Sequence, residues 1–202
     1  MDTISTILET TYGNFNLTYH NYEEYEGVSL SMGDVTAGTP LVRIHSSCLF
    51  SEALCAIDCD CKLQLNQALE RISQEGVGIL VYLYQEGRGV GLAKKIRAVE
   101  IMRKDNCDTA AAFEKLGFEL DPRSYELALK ALNDMKVAKT IRLMSNNPRK
   151  SRALETAGYE VIEHVALSYE ANSTVHTYLK SKEAKLGHKI QWSAIKAQVG
   201  AK

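Results

Sequence analysis

Two periodicities divide the chain. Up to about residue 47, apolar and polar side chains alternate, as in Phe15-Asn16-Leu17-Thr18-Tyr19 and Val28-Ser29-Leu30-Ser31-Met32. Alternation puts every second residue on one face and marks half-buried strands. Gly13, Gly27, Gly33 and Gly38-Thr39-Pro40 separate these stretches, so the region reads as antiparallel β structure. From Cys61 onward the spacing lengthens. Leu65, Ala68, Leu69 and Ile72 share one helical face, Gly76 is placed to cap that helix, and Val77 to Tyr84 is an apolar run of buried-strand length. The same logic predicts helices over Leu92 to about Lys104, Thr109 to Leu116, Ser124 to Met135 and Arg149 to Ala157, with strands over Thr140 to Met144 and Tyr159 to Val165. A polar tail from about residue 170 predicts helices over Thr177 to Leu186 and around Lys189 to Gln198, the latter holding Trp192. The expected fold is therefore α/β (α+β): an antiparallel β region, then alternating helices and strands, in one domain over 1–202.

Composition supports a folded core, with 45% hydrophobic and 24% charged residues in 202. The net charge of −1 supplies no basic field for nucleic acid or an anionic membrane, so any anion must be bound locally. No apolar run reaches the ~18 residues of a membrane span, and the start Met1-Asp2-Thr3-Ile4-Ser5-Thr6 lacks a signal peptide's features. A cytoplasmic protein is expected, and there disulfides are improbable. Four of the five cysteines, Cys48, Cys55, Cys59 and Cys61, fall within fourteen residues.

Cys48, Cys59 and Cys61 form a C-x10-C-x-C pattern. Three soft thiolates suit zinc and leave a fourth position open for water, whose pKa the metal lowers to about 7. Buried core cysteines are the competing explanation. His45 is open to three roles: fourth ligand, water-orienting group or strand-end packing. Cys55, inside Ala53-Leu54-Cys55-Ala56-Ile57, reads as core, and Cys107 as a small packed residue.

Two loops suit phosphate. Gln85-Glu86-Gly87-Arg88-Gly89-Val90-Gly91 follows a strand, precedes a helix and carries one cation. Its Glu86 can accept two N–H bonds from a guanine edge. In Ser145-Asn146-Asn147-Pro148-Arg149-Lys150, Asn147 and Pro148 are explained as N-cap and first helical residue, whereas Ser145 and Lys150 are left over to meet an anion. In Asp121-Pro122-Arg123, Asp121 reads either as a cap for a helix starting at Pro122 or as a functional carboxylate.

Taken in register, His45-Ser46-Ser47-Cys48, Cys59-Asp60-Cys61, Gln85 to Leu92 and Ser145 to Lys150 make the chain resemble the GTP cyclohydrolase II family from about Tyr12 to Leu186. The resemblance implies a zinc enzyme, usually a homodimer needing magnesium. Such an enzyme opens the imidazole ring of GTP by attack of zinc-bound water at C8, releases pyrophosphate and normally formate, and starts riboflavin synthesis. It implies one zinc per chain on Cys48, Cys59 and Cys61, and magnesium with the triphosphate. It implies nucleotide contacts from Arg43, His45, Ser46, Ser47, Gln64, Glu86, Gly87, Arg88, Thr109, Ser145 and Lys150. Asp121 matches the family's proton acceptor and Arg123 its nucleophile towards the α-phosphorus. A guanidinium is always protonated, so electrostatic stabilisation is the easier role for Arg123.

Departures from the family pattern cluster near the metal and the base: Ser47 for Glu, Phe50-Ser51-Glu52 for Thr-Gly-Asp, Asp58 and Lys62 beside the C-x-C, and Val99 for Tyr. Val99 lacks the phenol suited to the second hydrolysis, and the expectation from it is that the formyl group is retained, giving a formamidopyrimidine nucleotide. The alternatives are a catalytically silent nucleotide-binding or regulatory paralogue, or a cyclohydrolase for another purine nucleotide.

Overall fold

A computed structural model describes residues 4–22 and 25–198. Met1 to Thr3, part of the start read above for signal-peptide features, lie outside the described residues.

The elements in chain order are β1 (Ser5–Thr10), β2 (Gly13–Tyr22), β3 (Tyr25–Met32), β4 (Leu41–Ser46), α1 (Leu49–Glu52), α2 (Cys61–Glu75), β5 (Gly78–Leu83), α3 (Leu92–Asp105), α4 (Thr109–Lys115), α5 (Glu126–Asp134), β6 (Thr140–Leu143), α6 (Pro148–Thr156), β7 (Glu160–His164), β8 (Tyr169–Ala171), α7 (Ser173–Leu186) and β9 (Ile195–Ala197). Seven strands form one sheet in the order β1-β2-β3-β5-β4-β6-β7. β1, β2 and β3 are joined antiparallel, as the alternation predicts, and β5, expected only as a buried strand, adds antiparallel to β3. β4, which fell within the same β region, instead pairs parallel with both β5 and β6. The chain leaves β4 through α2, a crossover long enough to return β5 in the same direction.

Period two in β4 decides where the chemistry goes. Val42 and Ile44 face the core shared with Leu127, Ala131 and Leu132 of α5. Leu41 faces the other core, with Ala68 and Ile72 of α2 and Leu179 of α7. Arg43 and His45 alternate onto the Leu41 side and are buried there. A third apolar cluster joins α3 to α4 through Ala98, Ala112 and Phe113, with Cys107 packed at its edge as expected.

Three expectations need correction. The helix anticipated around Lys189 to Gln198 is a single 3-10 turn, Trp192–Ala194, followed by β9, which pairs parallel with β8. The Ile195 side chain is buried in the α2-side core, and that packing overrides local helix propensity. Asp121 caps no helix, because α5 starts at Glu126 after an N-cap position at Tyr125. Cys55 is exposed, as are Leu54 and Ile57. It sits at φ 58° on the outer arc of a loop that must double back for Cys48 and Cys59 to meet, so this apolar stretch cannot reach the core.

α7 is held by charge as well as by its apolar face. The Asp108 carboxylate, at the N-cap of α4, accepts from Ala111 N–H (3.0 Å), the Ser181 hydroxyl (2.9 Å) and the Lys185 ammonium (2.7 Å). Partial burial would raise its pKa, but these donors outweigh that and bring it down to about 2. A carboxylate depressed on folding adds stability above its unfolded pKa and loses it as pH falls through the folded one. The denaturant midpoint of Asp108→Asn should therefore lie below wild type by a constant margin above about pH 5. That margin should close between about pH 4 and 2, and a margin independent of pH would contradict the ion-pair account.

Candidate active site

α2 and α5 cover opposite faces of the sheet on either side of β4, and ligands in such sheets bind outside the carboxyl ends of the strands where the winding reverses. The carboxyl ends of β4, β5 and β6 lead into Cys48, the Glu86 loop and Ser145 respectively. One cavity opens there. Cys48, Cys59, Cys61, Arg43, His45, Ser46, Ser47, Gln64, Glu86, Gly87, Arg88, Val99, Thr109, Arg123, Ser145 and Lys150 all line it. Asp121 does not.

The three thiols converge, with ligand atoms within 4.8 Å of one another and Cys48 Sγ 3.7 Å from Cys59 Sγ. Cys48 lies two residues beyond β4, at the N-cap of α1, and Cys59 and Cys61 straddle the start of α2, so the sheet end and one helix fix all three. Three sulfurs this close repel when ionised unless a divalent cation lies among them, and an all-thiolate set suits zinc. Lys95 stands beside them, its Nζ 3.2 Å from Cys48 Sγ and 2.6 Å from Glu86 Oε1. Burial works against its charge, but Glu86 and Cys48 outweigh burial and hold its pKa above the usual lysine value.

His45 is spoken for by protein groups. Arg43 Nη2 donates to its Nδ1 (3.3 Å), which leaves Nε2–H to donate to Glu52 Oε1 (2.9 Å). Burial, opposed by Glu52, lowers its pKa to about 4, so the ring is neutral at pH 7. Of the three roles left open for it, the ring bonds tie it to Glu52 and Arg43, and it is absent from the thiol cluster. Glu52 also accepts from the Tyr82 hydroxyl, so this departure from the family pattern buttresses the strand end.

In the glycine-rich loop, Gly87 and Arg88 both adopt left-handed φ, 62° and 59°. A Cβ on Gly87 would lie 2.9 Å from Lys95 Cβ, so a side chain there fails on both conformation and space. Glu86 Oε2 accepts from Leu49 N–H (2.7 Å), which with Lys95 fixes the carboxylate. Arg88 donates to Leu120 O (2.9 Å) and lies over the Phe113 ring.

The third strand end is built around α6. Asn147 Oδ1 caps Arg149 N–H (2.9 Å) with Pro148 first in the helix, as predicted. Ser145 Oγ, expected to be free for an anion, already accepts from Asn147 N–H (3.1 Å) but can still donate. Lys150 is buried with its Nζ 2.8 Å from Ile44 O. Burial first, then Arg43, Arg123 and Lys182, pushes its pKa well below the usual lysine value. Arg123, in the loop before α5, lines the same cavity and is held by Asp121 through two bonds, Nε–Oδ1 2.6 Å and Nη2–Oδ2 2.8 Å. Burial opposes the Arg123 charge, but Asp121 keeps its pKa raised. Asp121 stays ionised because Arg123 and Arg149 outweigh its burial.

Sequence reasoning missed Asp60, Lys95, Tyr178, Lys182 and His188. Asp60 is fully buried between two of the cysteines and accepts from Lys182 Nζ (2.9 Å) and Tyr169 OH (2.7 Å). An acid between two ligand candidates was a readable signal. Lys182 was not readable, because it sits in a polar helix whose distance from the cysteines only the fold removes.

One cavity thus gathers a thiol triad able to hold a metal ion and the buried basic side chains of Arg43, Arg123, Lys150 and Lys182, an arrangement suited to an enzyme for an anionic substrate. The chain belongs to the GTP cyclohydrolase II family, whose pattern matches residues 2–166. GTP cyclohydrolase-2 of Shewanella halifaxensis is 42% identical over 189 residues, covering 91% of this chain and 88% of that protein. The riboflavin biosynthesis protein RibBA of Chlorobium phaeovibrioides is 42% identical over 193 residues, covering 94% of this chain and 47% of that protein. A solved structure, RibBX, a two-domain 3,4-dihydroxy-2-butanone 4-phosphate synthase from A. baumannii, overlays on 83% of this chain and 40% of its own at TM-score 0.47 and 15% identity. Among the described residues, no helix is long and apolar enough to cross a membrane.

Asp121 is the acid that compensates Arg123 and Arg149 beside Lys150. Asp121→Asn leaves the largely buried Arg123 without its carboxylate and should lower stability by roughly 3 kcal/mol. Denaturant unfolding at pH 7 measures this, and a variant as stable as wild type would contradict the assignment.

Proposed function

We propose that the protein is a zinc-dependent cyclohydrolase that opens the imidazole ring of GTP with release of pyrophosphate, and that its product feeds riboflavin synthesis. The observation that carries this is the convergence of Cys48, Cys59 and Cys61 on the same cavity as Arg43, Arg123 and Lys150. Zinc held by the three thiolates supplies, when bound, a water activated near neutral pH for attack at C8 of the purine.

The chain's own groups do the rest. Glu86, fixed by Lys95 and Leu49 N–H, keeps lone pairs for the N–H edge of guanine. Arg43, Lys150, the Ser145 hydroxyl and the amino end of α6 take the triphosphate, with magnesium sharing its charge. Arg123 is protonated and carries no nucleophilic lone pair, which supports electrostatic stabilisation at the α-phosphorus as pyrophosphate departs. For Asp121 to accept a proton, one of its oxygens must first release Arg123 or Arg149.

Val99 faces the cavity from α3, where the family has a phenol. Valine neither donates nor accepts, so the second hydrolysis, which would release formate from the first ring-opened product, loses its organising group. Of the other phenols weighed for that task, neither Tyr84, 51% exposed, nor Tyr125, whose OH accepts from Asn147 Nδ2 (3.1 Å), lines the cavity; of those that do, Tyr169 donates to Asp60 (2.7 Å) and Tyr178 lies under Lys182. The product is therefore the formamidopyrimidine nucleotide with its formyl group kept.

Metal analysis should find one zinc per chain. Cys59→Ser should lose both zinc and GTP turnover, whereas exposed Cys55→Ser keeps both. Zinc loss in the Cys55 variant would make the site a closed four-thiolate one.

A formate assay run alongside GTP consumption tests the role of Val99. Wild type should consume GTP without formate, and Val99→Tyr should begin to release it. Stoichiometric formate from wild type would refute this product assignment.

A further inference from the structure

The family match ends at residue 166, yet the chain beyond it forms part of the cavity wall. β8 and β9 pair around α7, and the segment brings Tyr178, Lys182 and His188 to the cavity. Lys182 is tied to Asp60 (2.9 Å) and lies over the Tyr178 ring (4.2 Å). α7 ends at Gly187 with φ 65°, and the chain turns so that Lys189 N–H donates to Asn146 O (2.9 Å). That bond pins His188 against the Ser145-Asn146-Asn147 loop, directly before α6.

We propose that His188 is a phosphate ligand of the substrate, so that the tail completes the triphosphate end of the cavity; this rests on reading the cavity as a GTP site. Its Nε2 is shut away from solvent and has no hydrogen-bond partner among the described residues. A buried polar atom left unpaired costs free energy, and a ligand oxygen would satisfy it. The groups around the ring are Lys182 from α7, Lys150 from α6 and Arg123 from the loop before α5, with Asp121 the opposing carboxylate. Burial and those three cations push the imidazole pKa down to about 3. The ring is thus neutral at pH 7 and can offer one N–H without adding another positive charge. Such surroundings favour an oxyanion over the donor-rich edge of a base.

The test uses the full-length, zinc-loaded chain and two non-reacting halves of the substrate, guanosine and inorganic tripolyphosphate, titrated by calorimetry. His188→Ala should weaken tripolyphosphate binding by about tenfold and leave guanosine within about twofold. His188→Gln, which restores an N–H donor, should recover most of the loss. If the alanine variant fails to fold, His188→Phe keeps a ring without the N–H and makes the same comparison. Unchanged tripolyphosphate affinity, or equal loss of both probes, overturns the proposal while wild-type binding of both leaves the GTP reading standing. A wild-type chain that binds neither probe overturns both.

Discussion

Four basic side chains, Arg43, Arg123, Lys150 and Lys182, face one cavity with at most 14% of any side chain exposed, in a chain whose net charge is −1. Burying a charge without a partner is costly, and gathering four of one sign raises that cost further. Two buried carboxylates answer part of it, Asp60 holding Lys182 and Asp121 holding Arg123. Lys150 has a backbone carbonyl, and Arg43 has a carbonyl, a glutamine and a neutral histidine. Neither Lys150 nor Arg43 therefore has a carboxylate partner, and a polyphosphate is the kind of ligand that would supply the missing negative charge. This also places affinity in local contacts, since the overall charge offers no long-range attraction.

The two acids also join parts of the chain that would otherwise be independent. Asp60 sits between two of the clustered thiols and pairs with a lysine in the last helix, so the geometry of the cysteines and the docking of the tail are mechanically connected. Asp121 does the same between Arg123 and α6 through Arg149. Both connections reach β4 indirectly, Asp60 through Gln64 to Arg43 and α6 through Lys150 to the Ile44 carbonyl, and the alternate residues of β4 send Arg43 and His45 to the site and Val42 and Ile44 to the core.

Much of this was legible in the sequence. Alternation and helical spacing located the strands and helices, because each element buries a face whose period shows in the residues. The glycine loop, the Asn147-Pro148 cap and the C-x10-C-x-C pattern marked three strand ends, and the fold brings them to one cavity. What stayed hidden depends on distance in three dimensions. Lys182 and His188 carry no local pattern, and β9 forms from a segment with helical spacing because Ile195 finds a core to enter. Cys55 misled for the opposite reason: its apolar neighbours imitate a core segment, while the convergence of Cys48 and Cys59 forces their loop outward.

The central claim is that the thiol triad and the cation cluster act on one GTP molecule, the first at the base and the second at the phosphates. The most direct measurement is to incubate the metal-replete chain with GTP and magnesium and identify the products by mass spectrometry. The account predicts that GTP disappears with stoichiometric pyrophosphate and a ring-opened nucleoside monophosphate. Intact GTP at high protein concentration, despite measurable nucleotide binding, would contradict it.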